Sequence, residues 1–145
     1  MQKIDVVYVL LYDEEHSTVL MVHNKRKSGS EWTLPGGERE EGETLAQAAQ
    51  REAKEETGLS IAASELLSVN ECFYPNANVL FFTFWGRITE GKIAISLPDE
   101  ILEVEWMDLN EEDRLRPYFK GGISRLIEKQ SAAEYHIEPS RTEVL

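Results

Sequence analysis

Arg51, Glu52, Glu55 and Glu56 stand close together in a segment from Thr44 to Gly58 that is dominated by Ala, Leu, Gln, Arg, Glu and Lys. In a helix, Leu45, Ala49, Glu52 and Glu56 follow at intervals of four, three and four and share one stripe. Leu45, Ala48, Ala49 and Ala53 form its close-packing side, so Glu52 and Glu56 prolong an apolar stripe, with Glu55 at its edge. Like charges at such neighbouring positions repel by roughly 3 kcal/mol at an effective dielectric near 20. Arg51, four residues before Glu55, offsets part of this, and protonation or a bound cation must supply the rest. Hard oxygen ligands select Mg²⁺, Mn²⁺ or Ca²⁺. An acid-rich helix is more often a solvated face, but a solvated face does not continue an apolar stripe. Upstream, Leu34-Pro35-Gly36-Gly37 makes a sharp turn whose carbonyls can approach a metal or phosphate unobstructed. The acidic loop Glu38 to Glu43 joins that turn to the helix and brings a fourth carboxylate, Glu43.

The elements that must position these groups are legible in outline. Thr44 with Gln47 fits a capping box, and Gly58 fits a helix stop. Val6 to Tyr12 reads as a strand, Asp13 to His16 as a turn and Thr18 to Val22 as its hairpin partner. Asn24 to Ser30 reads as a polar loop, with Lys25, Arg26 and Lys27 as a basic cluster. Leu66 to Tyr74 and Asn78 to Ile88 read as strands. In the second, Val79, Phe81 and Trp85 face one way and Leu80, Phe82 and Phe84 the other, as in a central strand covered on both sides. Ile101 to Met107 is a further strand, and Pro117 opens a helix with Ile123, Leu126 and Ile127 on one face. The sum is an α/β fold: an α/β/α sandwich with a mixed β-sheet between helices. One domain is expected over residues 1–130, with a polar, mobile tail over 131–145.

The chain has 145 residues and a net charge of −12. That charge argues against a nucleic-acid duplex or an anionic membrane surface as partner, because both need a basic patch. A small anion remains possible where a cation supplies local positive charge. Cys72 is the only cysteine, so an intrachain disulfide is impossible. None of His16, His23 and His136 offers it an obvious catalytic partner, and it reads as a buried thiol. The apolar run Val6 to Leu11 is too short for a signal-peptide core or a membrane span, and a cytoplasmic location is expected.

Gly37, then five residues, Glu43, then seven residues and Arg51-Glu52-Ala53-Lys54-Glu55-Glu56-Thr57-Gly58-Leu59 resembles the Nudix box at every defining position. The resemblance spans Gly37 to Leu59, with weaker support from the Trp32 to Pro35 approach and from Trp106. It implies Mg²⁺-dependent attack of water on a phosphoanhydride of a nucleoside diphosphate derivative, with Mn²⁺ as a substitute. By position, Glu55 and Glu56 are the main metal ligands and the Gly36 carbonyl completes the shell. Glu52 is a ligand or the general base, Arg51 orients a carboxylate and Glu43 is a weak or outer ligand. In the family a later carboxylate can also serve; here Asp99 and Glu100 are the candidates, with Glu100 preferred.

Substrate contacts lie outside the box. Lys25 and Arg26 are expected on phosphates, Gly37 at the turn, and Tyr74, Asn78 and Phe82 near the nucleobase, although most of the aromatic residues belong to the core. The compact length resembles MutT-type enzymes, favouring a nucleoside triphosphate or oxidised nucleotide. Pro75, sixteen residues beyond Leu59, resembles a spacing of ADP-ribose pyrophosphatases, the second reading. A non-catalytic nucleotide sensor is the third, and a homodimer is compatible with the family.

Overall fold

The computed structural model describes residues 1–110, 122–129 and 133–134. Its elements run β1 (Gln2–Leu10), β2 (Tyr12–Asp13), β3 (Thr18–Arg26), β4 (Gly29–Thr33), β5 (Gly36–Glu38), α1 (Leu45–Thr57), β6 (Ser60–Tyr74), β7 (Ala77–Glu90), β8 (Ile101–Asp108), α2 (Gly122–Lys129) and β9 (Ala133–Glu134).

The strands build two sheets. One has the order β5-β1-β7-β6-β9; β1 and β7 run parallel and its other pairs are antiparallel. In the other, β3 pairs with β2, β4 and β8, all antiparallel. Alternation along β1 explains the layering. Val7, Val9 and Leu11 enter one core with Leu20, Phe84 and the helix residues Ala48, Ala49 and Ala53. Leu10 enters the opposite core with Val19, Met21, Leu34, Met107 and Ile123 of α2. Helices α1 and α2 therefore cover opposite faces, as the sandwich expectation requires. Burying each large apolar side chain fully, such as Phe84 or Leu10, contributes about 1.5–3 kcal/mol.

The central position expected for Asn78 to Ile88 holds, since β7 lies between β1 and β6. Two local readings are corrected. Val6 to Tyr12 does not form a hairpin with Thr18 to Val22. Only Tyr12 and Asp13 pair with β3, because the chain crosses from one sheet to the other at Leu11, and β1 pairs with β5 and β7. Asn24 to Ser30 is not a loop either, but most of a β3–β4 hairpin. The cross-strand pairs hold it: His23 stacks on Trp32 with centroids 4.5 Å apart, and Arg26 pairs with Glu31 at 2.9 Å. Pro117 and most of the segment read as a tail lie outside the described residues; Ala133 and Glu134 pair with Leu66 and Glu65. No helix among the described residues is long and apolar enough to cross a membrane.

Candidate active site

Helix α1 begins as its sequence directs. The Thr44 hydroxyl accepts from the Gln47 amide at 3.0 Å and the Gln47 side chain accepts from the Thr44 amide at 2.9 Å. Such a box is worth on the order of 1 kcal/mol and fixes where the helix starts. At the other end the Gly58 amide reaches the Lys54 carbonyl at 3.0 Å. The segment after β7 also ties this end down, through Ala94 N to the Thr57 carbonyl at 2.9 Å and Ser96 Oγ to the Glu55 carbonyl at 2.9 Å.

With the helix fixed, the apolar stripe presses Glu56 inward, leaving it 8% exposed. Its Oε1 accepts a 2.8 Å hydrogen bond from the Gly36 amide. Burial pushes the Glu56 carboxyl up to about 8; the Gly36 hydrogen bond opposes this, and Glu52 and Glu100 add to it by their charge. Arg26 acts on the same carboxyl in the opposite direction. Glu52 is also raised, mainly by burial, despite its pairing with Arg51.

Arg51 is the hub. Its Nε and Nη2 clasp Glu43 at 2.7 and 3.0 Å, Nη1 reaches Glu52 at 3.0 Å and Glu55 at 3.2 Å, and Nη2 also donates to the Glu38 carbonyl at 3.1 Å. Its hydrogen bond to Glu43 is the main reason its own pKa is raised and that of Glu43 lowered. The four-residue spacing foresaw the contact with Glu55; the bidentate clasp on Glu43 comes from the loop and has no helical periodicity to announce it.

The two glycines act by close approach. A Cβ on Gly37 would meet Glu52 Oε1 at 2.5 Å, and one on Gly36 would collide with the Val7 carbonyl and Tyr8. Both glycines pair with β1, at Val7 and Tyr8, which brings the edge of the sheet against the helix carboxylates.

Among the expected residues, the structure thus gathers Gly36, Gly37, Arg51, Glu52, Glu55, Glu56 and Glu43. Glu100 joins them electrostatically at Glu56, and its carbonyl accepts from the Lys25 amide at 2.8 Å. Strand alternation sends Lys25 and Arg26 to opposite faces, and Arg26 takes the side of Asn24 and Glu56. Phe82 lies in register with Val7 and hence with Gly37, but packs against the core under α1. Asn78 and Tyr74 are at the β6–β7 hairpin end; Asn78 pairs with Lys3, four residues from Val7, or roughly 13 Å along the strand. They are not gathered with the glutamates.

The bracing role of one polar residue escaped the sequence reading. Asn24 is 5% exposed and donates to Thr33 Oγ1 at 2.7 Å and to the Glu31 carbonyl at 3.1 Å, bracing the strand that carries Arg26. Among the described residues, the one set of ligand atoms lying mutually within 4.8 Å is Asp13, Glu15 and His16, at a surface turn away from the helix. Glu52, Glu55 and Glu56 do not converge on one point, because Arg51 holds two of them and Gly36 the third.

An edge of sheet laid against an acidic, arginine-braced helix within an α/β/α sandwich defines the class of this protein. It belongs to the NUDIX domain family, whose profile matches residues 2–129. The chain is 39% identical over 107 residues to the 8-oxo-dGDP phosphatase NUDT18 of Mus musculus, covering 70% of this chain and 32% of that protein. It is 32% identical to the NAD-capped RNA hydrolase NudC of Salmonella choleraesuis, covering 82% and 44%. The chain thus spans about a third to a half of the length of these relatives. The MutT protein of Methanosarcina mazei Go1 superposes with a TM-score of 0.73 at 24% identity, covering 90% of this chain and 96% of that one. The E. coli ORF135 protein superposes at 0.75 and 18%, covering 92% and 96%.

Proposed function

We propose that this domain is a divalent-metal-dependent hydrolase that cleaves a phosphoanhydride bond in a nucleoside diphosphate linked to another group. The observation that carries this reading is the buried Glu56, held by the Gly36 amide beside Glu52 and raised to about 8. A buried carboxylate with no ammonium or guanidinium bond of its own, as Glu56 is, suits a hard cation. Glu55, Glu56 and the Gly36 carbonyl would hold Mg²⁺, or Mn²⁺ in its place, and Glu52 would either join them or serve as the base. The chemistry supplied there by the bound cation is neutralisation of phosphate charge and activation of water.

The protein's own groups do the rest. Arg51 restrains Glu52 and Glu55 through Nη1, so neither carboxylate swings into solvent. Where Glu52 is not a ligand, it takes the proton of the attacking water at Oε2, since Oε1 is held by Arg51. Glu100 joins the cation or takes the proton in its place. Arg26 offers its guanidinium to the phosphates from the same side, exchanging its contact with Glu31. Gly37 leaves the backbone bare where the phosphate chain passes.

For substrate we favour an oxidised purine nucleotide or a nucleoside triphosphate, in line with the named activity of the NUDT18 relatives. The test is phosphate release with Mg²⁺ from canonical and oxidised nucleoside di- and triphosphates, ADP-ribose and nucleotide sugars, beside a Glu52→Gln/Glu56→Gln variant. Turnover abolished in that variant supports the hydrolase, and the best substrate selects the class. Tight nucleotide binding without turnover on any compound would leave a sensor instead.

A further inference from the structure

The two sheets separate where the chain crosses between them at Leu11. β1 stops pairing with β7 at Leu10 and Trp85, and β2 turns away to pair with β3. Beyond that point the β7 residues Gly86, Arg87, Ile88 and Glu90 are paired with β6 alone, so the sheets splay. The gap is a cavity of about 430 Å³, lined among others by Tyr12, Asp13, Trp85, Arg87, Ile88 and Trp106. That size falls in the range of small-molecule sites. It is remote from the glutamates. Trp106 pairs with Leu20, six residues along β3 from Arg26, which is roughly 20 Å.

Three observations give this cavity a ligand chemistry. Tyr12 and Trp85 meet with ring centroids 6.4 Å apart and planes tilted by 60°, and Trp106 lies in the same lining with 38% of its surface exposed. Three aromatic residues around one gap, one of them an exposed indole, favour a planar ring. The two charged side chains of the lining are also unequally engaged. Asp13 is already engaged by the His16 amide at 3.3 Å and ring at 2.7 Å. The Arg87 side chain is exposed and makes no ion pair or hydrogen bond among the described residues, whereas those of Arg26, Arg39 and Arg51 are each paired. Of the two charged side chains in the lining, Arg87 is therefore the one left without a hydrogen-bonded partner among the described residues, in a chain whose net charge is −12.

We propose that the cleft between the sheets is a second binding site, distinct from the metal helix, for a planar heteroaromatic anion such as a nucleoside monophosphate. The ring lies against Trp106 and Trp85, and the phosphate meets Arg87. This assignment is independent of the hydrolase reading, because it requires no divalent cation.

Adenosine monophosphate is titrated into the full chain in EDTA, followed by backbone amide NMR shifts and tryptophan fluorescence, with adenosine and inorganic phosphate in parallel. Shifts are expected at residues 11–13, 85–88 and 106, with adenosine weaker than the monophosphate. Trp106→Leu and Arg87→Gln should each weaken binding about tenfold, the value of one stacked base or one charge-assisted contact. Both positions are exposed, so melting curves should confirm intact folds, and metal-dependent turnover should stay within about twofold of the parent chain. Shifts centred on Gly36 and Glu56 would overturn the proposal, as would an Arg87→Gln variant that binds normally. A concentration-dependent mass lost in Trp106→Leu without ligand binding would overturn it too, assigning the aromatic face to self-association.

Discussion

The amide of Gly36 donates a 2.8 Å hydrogen bond to the carboxylate of Glu56, twenty residues away and 8% exposed. This bond joins the edge strand β5 to the buried face of α1. It also leaves Glu56 with a neutral donor where an ordinary buried carboxylate has a cation.

That arrangement sets a pH dependence. Glu56 is raised from 4.5 to about 8, so between those values the folded chain holds a proton that the unfolded chain releases. Stability of the metal-free protein is full below about pH 4.5 and falls as pH rises through about 8. Glu43, whose pKa is lowered, acts in the opposite sense, but its contribution is already complete above its unfolded pKa. Denaturant midpoints at pH 5, 7 and 9 in EDTA should therefore decline, and Glu56→Gln should flatten the decline. Equal slopes in the two proteins would remove the burial argument.

Adding Mg²⁺ should reverse the loss most strongly at high pH, where Glu56 is ionised and binding releases no proton. At a hundredfold excess over Kd the gain is about 2.7 kcal/mol. A melting temperature insensitive to Mg²⁺ at pH 8.5 would mean that these carboxylates hold no cation.

Arg51→Lys is expected to fold but to lose turnover on the order of 10²-fold, because an ammonium cannot clasp Glu43 through two nitrogens while reaching Glu52 and Glu55. Arg51→Ala should also cost roughly 3 kcal/mol of stability by leaving partly buried carboxylates uncompensated. Turnover near that of the parent chain in Arg51→Lys would show that the fork geometry is dispensable.

Adjacent glycines should fail in different ways. The Cβ of Gly36→Ala meets backbone that cannot yield, so pairing of β5 with β1 breaks and the melting temperature drops. The Cβ of Gly37→Ala meets the Glu52 carboxylate first, a movable group, so the variant should stay folded while metal-dependent turnover falls. Comparing melting and activity for both variants checks this; equal losses of stability would contradict it.

Glu100 acts on Glu56 by its charge. Glu100→Gln should lower kcat by about 10–10²-fold and change the pH profile, with Asp99→Asn within about twofold. The reverse order would move the role to Asp99.

Helix α1 was legible because its signals are local: the Thr44–Gln47 box, the Gly58 stop and the stripe that places Glu56 inside. What failed was non-local or depended on partners. Val6 to Tyr12 has the composition of a hairpin arm, but its pairing with β7 lies more than seventy residues away and leaves no mark in the intervening sequence. Asn24 and Arg26 look like loop residues because their compensation, by Thr33 and Glu31, arises only once β3 and β4 face each other. Tyr74 and Asn78 were chosen for chemistry alone, and only register shows how far the hairpin carries them from Gly37.

The parallel pairing of β1 with β7 has a kinetic consequence. Helix α1 and β5 lie within the crossover between these strands, which closes only when Gln2 meets Ala77 and Leu10 meets Trp85. Contacts of such sequence separation form slowly. Helix α1 can therefore flicker in and out early, but the Gly36 to Glu56 bond must wait for the sheet. A chain caught halfway through refolding would show helical signal without the proposed metal affinity, which would return in the last and slowest phase.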